Sequence, residues 1–383
     1  MKNFNNKSRF LKMKKICLYM LVSFLIACVK NERRDVITVD VNRRDNISIF
    51  DIFDKVEIIP LETTSESLVK DITKIVVFND NMYILDYPMH RILIFDKKGK
   101  YVSKIDNKGN GPGEYINISD FAVKDSGLLL LSPVNRSIYE YDTNARFRNS
   151  LHLPNVTGAY QSFKILNNDT LIFWTSDNKN KVKIVTLNSN KILYECFPEE
   201  DIFFNKFLLH SVFPYNNYLT RSSSNTVYSF SNTGRIETGY IWNFGGENND
   251  IKKIQKEMDF KTQKEMINFS KKVFSSEVVN YIFVLHGGNL LYNYTQIYRK
   301  NKPVNIFYNK ISKTTMVFEK TTEGVIIFPI YWTDEYAAGL IPESENSLNS
   351  ALPDAILDEQ NKTIKQHINE FDNPILIKYY FKK

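Results

Sequence analysis

Short apolar runs, each closed by turn-forming residues, succeed one another along most of the chain. Four of them follow in order: Ile72–Phe78, Met82–Asp86, Arg91–Phe95 and Tyr101–Ile105. Asn79-Asp80-Asn81 and Asp96-Lys97-Lys98-Gly99 lie between them, and Asn, Asp and Gly tolerate the positive φ that a tight turn requires. The pattern predicts four short antiparallel strands.

That unit repeats. At an offset of 46 positions Ile92 meets Ile138, Phe95 meets Tyr141, Asp96 meets Asp142 and Lys100 meets Arg146. The same offset aligns Ile75 with Phe121 and Leu85 with Leu131. A second step of 46 carries Ile138 to Ile184, and a step of 43 carries Leu187 to Phe230, with its turn at Asn232-Thr233-Gly234. A later copy, Asn305–Lys310, stands one repeat plus an insertion further on. Four strands in about 40–50 residues make a propeller blade, which cannot bury both faces alone and stacks radially with its neighbours.

The expected fold is therefore all-β, a six-bladed β-propeller of four-stranded antiparallel blades with two helical insertions, about 247–275 and 345–371. Ile251, Ile254 and Met258 share one face in the first insertion, and Leu352, Ile356, Ile364 and Ile368 share one in the second, where Pro353 suits a helix start. The expected organisation is a signal at 1–27, a flexible polar tether at 28–46 and the propeller at 47–383. Ile47–Phe50 and Val56–Leu61 read as its first strands. The last strand, Pro374–Phe381, has no downstream partner; pairing with Val56–Leu61 would close the ring and remove an apolar edge.

Composition fits this architecture. The 383 residues are 43% hydrophobic and 24% charged, which excludes disorder throughout, and 27 Phe and 22 Tyr suit the half-buried surfaces of sheets. The formal charge of +7 suggests a nucleic-acid partner until it is located. Lys2, Lys7, Arg9, Lys12, Lys14 and Lys15 precede Cys28, and without them 44 basic residues face 43 acidic ones. A nearly neutral remainder lacks the excess that drives phosphate binding, so no nucleic acid is expected.

Lys14 and Lys15 lead into the apolar run Ile16–Ile26, the layout of an export signal; Met13 is an alternative start. A transmembrane anchor is the other reading, but the run falls short of the ~20 apolar residues that span a bilayer. Leu25-Ile26-Ala27-Cys28 resembles the lipobox of bacterial lipoproteins. That resemblance implies a lipid on Cys28 and a place in the cell envelope, at the outer membrane, on either its periplasmic or its outward side. With Cys17 in the signal and Cys28 acylated, Cys196 stands alone and no internal disulfide can form.

From Ile47 onward the chain resembles the six-bladed β-propeller lipoproteins of Bacteroidota, distantly similar to NHL-repeat propellers. The resemblance rests on Asn81–Asp86, Ile92–Lys100, the loop Gly109-Asn110-Gly111-Pro112-Gly113-Glu114-Tyr115, Asn225–Tyr228 and Asp372–Leu376. It implies export and a propeller, and carries over no catalytic residue.

Enzyme chemistry finds little support. The five histidines, at 90, 152, 210, 286 and 367, form no short-spaced ligand pair. Neither a Gly-Xaa-Ser-Xaa-Gly elbow nor a phosphate-binding loop occurs. No metal, cofactor or catalytic residue is expected. If strands run from the axis outward, second-to-third-strand loops and blade-to-blade loops share one face. Tyr87, His90 and Arg91 then approach Glu114 and Tyr115, with Arg136 from the next blade, forming a rim suited to a sugar or peptide; alternatively the loop glycines shape a turn and these side chains cover blade edges. The expected function is a non-catalytic, monomeric binding or interaction module for a glycan, a peptide or an envelope protein. The alternatives are a propeller hydrolase or lyase acting on saccharides or lactones, and a structural component of an envelope complex.

Overall fold

Two strands near the N-terminus, β1 (Asp35–Thr38) and β2 (Phe53–Pro60), pair neither with each other nor with the strands that directly follow. The computed structural model describes residues 35–177, 179–197, 212–221, 224–247, 262–275, 280–341, 348–349, 351–369 and 371–382. The first blade holds β3 (Ile72–Phe78), β4 (Asn81–Asp86), β5 (Arg91–Asp96) and β6 (Tyr101–Ile105). The second holds β7 (Asp120–Lys124), β8 (Gly127–Ser132), β9 (Ser137–Tyr141) and β10 (Phe147–His152). The third holds β11 (Tyr160–Ile165), β12 (Thr170–Thr175), β13 (Val182–Thr186) and β14 (Lys191–Cys196).

The fourth blade takes β15 (Tyr218–Thr220), β16 (Thr226–Phe230) and β17 (Ile236–Asn243), with β1 as its outer strand. The fifth is β18 (Asn280–Gly288), β19 (Tyr292–Arg299), β20 (Lys302–Asn309) and β21 (Thr314–Phe318). The sixth takes β22 (Pro329–Trp332), β23 (Tyr336–Ile341) and β24 (Ile375–Phe381), and β2 completes it. The fold is thus the expected all-β propeller of six four-stranded antiparallel blades.

Position within a blade explains the patterning. Middle strands lie between two neighbouring blades, so β8, β12 and β13 are buried at every position and lose their alternation. The outer strands β10 and β14 are mostly exposed; β10 reads as polar, while β14 leaves Leu193 and Tyr194 facing out. The apolar core is a set of layers between blades. Leu85 and Ile92 pack with Phe121 and Leu130 between the first and second blades, and Leu131 with Phe163 and Phe173 between the second and third. Corresponding layers continue to the sixth blade, whose Tyr336 and Leu376 meet Met82 and Phe95 of the first. Burying apolar side chains contributes about 25 cal/mol per Å2, so a ring of such layers can hold without disulfides.

The predicted closure is present: β2 pairs antiparallel with β24 from Phe53↔Phe381 to Pro60↔Ile375. A second tie was missed. The stretch expected to be a free tether contains β1, and the Val39 amide continues its pairing to the Asn243 carbonyl at 2.9 Å. Ile37, Val39 and Val41 are buried while Val36, Thr38 and Asp40 face out, so a period-two pattern runs through a segment flanked by charge. The chain then crosses the outer edge of the fifth blade, where the Asp45 amide donates to the Val317 carbonyl at 2.7 Å. The Val317 amide donates back to Asp45 Oδ2 at 2.8 Å. Ile47–Phe50, expected as a strand, instead enters a helical turn, α1 (Ile49–Ile52), because Ser48 and Asp51 form a capping box. Residues 35–60 therefore edge three consecutive blades.

Both insertions contain helix. The first holds α2 (Gln263–Ser275); its predicted part at 248–261, with Ile251, Ile254 and Met258, lies outside the described residues. The second is a 3-10 turn, Asp354–Ile356, entered at Pro353, followed by α3 (Glu359–Gln366). Leu352 and Ile356 are buried in the layer between the fifth and sixth blades, with Ile364 and Ile368 against it. Asn361 on α3 covers the outer edge of β2: its Oδ1 accepts from the Ile58 amide at 2.9 Å, and its Nδ2 donates to the Val56 carbonyl at 3.3 Å. Helix cover of this kind removes a template for strand addition. Among the described residues no helix is long and apolar enough to cross a membrane.

Candidate functional site

The first strand of each early blade is the innermost, as the axis-outward order requires, and the inner strands surround a cavity of about 510 Å3 on the propeller axis. Residues 73–76 of β3, 120–123 of β7, 162–165 of β11, 329–332 of β22, the segment 213–216 ahead of β15, and His286 of β18 line it. Most of the wall is apolar, including Ile75, Phe121, Phe163, Phe213, Ile330 and Trp332.

The polar groups form an ordered set. Asp120 is buried, and its Oδ1 accepts from Lys74 Nζ at 2.6 Å and from the Phe121 amide at 2.8 Å. Its Oδ2 accepts from Ser162 Oγ at 2.6 Å and the Phe163 amide at 2.8 Å. One carboxylate thus joins the inner strands of three blades, and Lys74 adds a bond to the Phe121 carbonyl at 2.7 Å. Lys164 donates to the Asn216 backbone carbonyl, reaching from the third blade to the fourth. Burial, assisted by the Lys74 charge, lowers the Lys164 ammonium to about 7.

On the fifth blade His286 is enclosed, and burial brings its imidazole down to about 3, so it is neutral at ordinary pH. Among the described residues its Nδ1 and the nearby wall's Trp332 Nε1 are buried without hydrogen-bond partners. The Tyr331 hydroxyl meets the Val77 backbone, helping to join the sixth blade to the first. Among the described residues no group of three or more His, Cys, Asp or Glu comes together to hold a metal ion.

The six residues expected on the rim do lie on second-to-third-strand and blade-to-blade loops of one face, or at their ends, but their side chains have other partners. Arg91 turns inward to Asp86 at 3.0 Å and to the Leu68 carbonyl. Tyr115 is fully buried, its hydroxyl donating to the Ile105 carbonyl at 3.2 Å. These two are corrected from ligand contacts to packing residues: their polar ends satisfy backbone and carboxylate groups within the blades. Glu114 is exposed, and its Oε2 accepts from the Gly111 amide at 2.8 Å, closing its own loop. Gly113 in that loop has φ +78 and presses on the Phe147 ring, where an added Cβ would come within 2.6 Å. His90 Nδ1 sits 3.3 Å from the Ile118 carbonyl, with Tyr87 edge-on to its ring at 5.6 Å. Arg136 Nε donates to His152 Nε2 at 3.2 Å, and its Nη1 to Asn155 Oδ1. The loop is a shaped turn with side chains over blade edges. Cys28 lies outside the described residues.

Lys74, Asp120, Ser162, Lys164 and His286 were not found from sequence. Part of the signal was available: Lys74 and Asp120 are 46 apart, immediately before the aligned pair Ile75 and Phe121, on strands placed innermost. Ser162 follows after 42 positions, so a constant step passes it by.

Residues 34–380 match the family model described as a domain of unknown function, DUF4934. Among solved structures, a Bacteroides fragilis protein described as exported superposes with a TM-score of 0.71 at 17% identity, over 91% of this chain and all (100%) of that one. A member of the DUF4221 family from Bacteroides vulgatus gives a TM-score of 0.52 at 11% identity, over 88% of this chain and 99% of that one. At these identities the likeness concerns the fold. No curated protein matches the chain.

Proposed function

This chain belongs to the DUF4934 family, and from that premise we propose that it is an exported, non-catalytic binding module that takes its ligand in the axial cavity. The observation that carries the reading is the cavity itself: about 510 Å3, mostly apolar, with a few polar groups converging from separate blades. Ligand sites are commonly concave, apolar and oriented by a few fixed polar groups. The Asp120 network holds three inner strands in place before any ligand arrives, so little ordering remains to oppose binding.

Export is supported by the charged and apolar layout of residues 14–26, and the B. fragilis structure's description agrees with it. Acylation of Cys28 would anchor the molecule in the cell envelope, at the outer membrane. Mass spectrometry of the protein purified from membranes tests this; an unmodified Cys28 in the mature chain would refute it.

A screen of glycans, peptides and small amphipathic molecules by thermal shift, on the chain from Val29 onward, tests the binding reading. A ligand at one hundred times its Kd stabilises the fold by about 2.7 kcal/mol. Filling the cavity by Ala122→Trp is expected to abolish the shift, and Arg136→Ala on the rim is expected to preserve it. The opposite pattern would return the site to the rim.

A further inference from the structure

We propose that the axial cavity is a site for a carboxylate carried on an apolar body, with Lys164 as its counter-ion; this rests on the reading of the cavity as the ligand site. The charges facing the cavity do not balance. Lys74 on β3 and Lys164 on β11 bring two ammonium groups, and Asp120 on β7 brings one carboxylate. Asp120 already accepts from four donors, Lys74 among them. Lys164 meets the neutral Asn216 carbonyl, and among the described residues it forms no salt bridge.

The remaining titratable neighbours do not supply the missing charge. His286 on β18 is neutral, and burial raises the phenols of Tyr331 on β22 and Tyr215 ahead of β15, which keeps them protonated. Lys164 is half-buried beside an apolar wall, and among the described residues the one carboxylate near it, Asp120, is already engaged by its four donors. An arriving anion would give the ammonium a charge partner of its own. Lys164 lies near 7, so near neutral pH it is about half protonated, and an anion draws a proton onto it. The largely apolar wall assigns the rest of the ligand: a hydrocarbon or aromatic frame, not a polyhydroxylated one.

The test is isothermal titration at about pH 7 of the chain from Val29 onward with 3-phenylpropionate and its uncharged amide. The acid is expected to bind at least about tenfold more tightly, with proton uptake measured by repeating the titration in buffers of different ionisation enthalpy. Lys164→Met should weaken the acid to the level of the amide and leave the amide unchanged; Lys164→Gln serves if the Met variant melts early. Equal binding of acid and amide overturns the anion assignment while keeping the cavity as a ligand site. Tighter acid binding that survives both substitutions overturns the role of Lys164. If neither compound binds, the anion proposal falls, and the Ala122→Trp screen separately decides whether the cavity reading falls with it.

Discussion

His286 offers a quantitative check on the interior of the ring. Its side chain is enclosed at 8% exposure and its imidazole falls from the ordinary 6.5 to about 3 because burial disfavours the charged form. Between those values the unfolded chain holds a proton that the folded chain refuses, so stability rises with pH across the window. It is fully present above 6.5 and is lost progressively as the pH falls toward 3. Each pH unit inside the window is worth about 1.4 kcal/mol. Going from about pH 7.5 to about pH 5 therefore costs about 2 kcal/mol through this one group. Carboxylates titrate too, so the useful quantity is a difference. Urea unfolding of the wild type and of His286→Gln at both pH values should show the wild type losing about 2 kcal/mol more than the variant. Parallel losses would refute the reasoning, because they would mean the imidazole takes up protons as readily in the folded ring as in water.

Two further substitutions probe features outside the cavity. Asn361→Leu leaves the Ile58 amide and the Val56 carbonyl unpaired at the edge of β2; a loss of about 1–3 kcal/mol and increased light scattering on heating are expected, and an unchanged melting temperature would contradict the edge-cover role. Arg91→Met leaves the fully buried Asp86 with the Lys70 and Asp71 amides but no cation; a loss of about 3–5 kcal/mol is expected by chemical denaturation, with ligand affinity unaltered.

The blade repeat was readable because each turn cluster recurs where the same strand must end. Asn79 and Asp80 adopt positive φ between β3 and β4, as their residue types indicated. The closure between β2 and β24 was readable for a related reason: an apolar terminal strand needs a partner. The β1 segment escaped because Ile37, Val39 and Val41 are interleaved with polar residues and bounded by Arg33, Arg34, Arg43 and Arg44, so local composition resembled a linker. The rim was misjudged at Arg91 and Tyr115 because loop topology places a residue at a face without saying which way its side chain turns. Side-chain direction there depends on Asp86 and the Ile105 carbonyl, partners that no spacing rule identifies.

The strap formed by residues 35–60 sets an order of events for folding. Its two strands emerge first during synthesis, yet β1 must wait for β17, which ends at Asn243, and β2 for β24, which ends at Phe381. Such remote pairings require large loops to close before any contact rewards them, and chains of this kind fold slowly. The sixth sheet cannot be completed until β24 is available. A nascent ring would therefore stay open, with the edge of β2 unpaired, until β24 arrives.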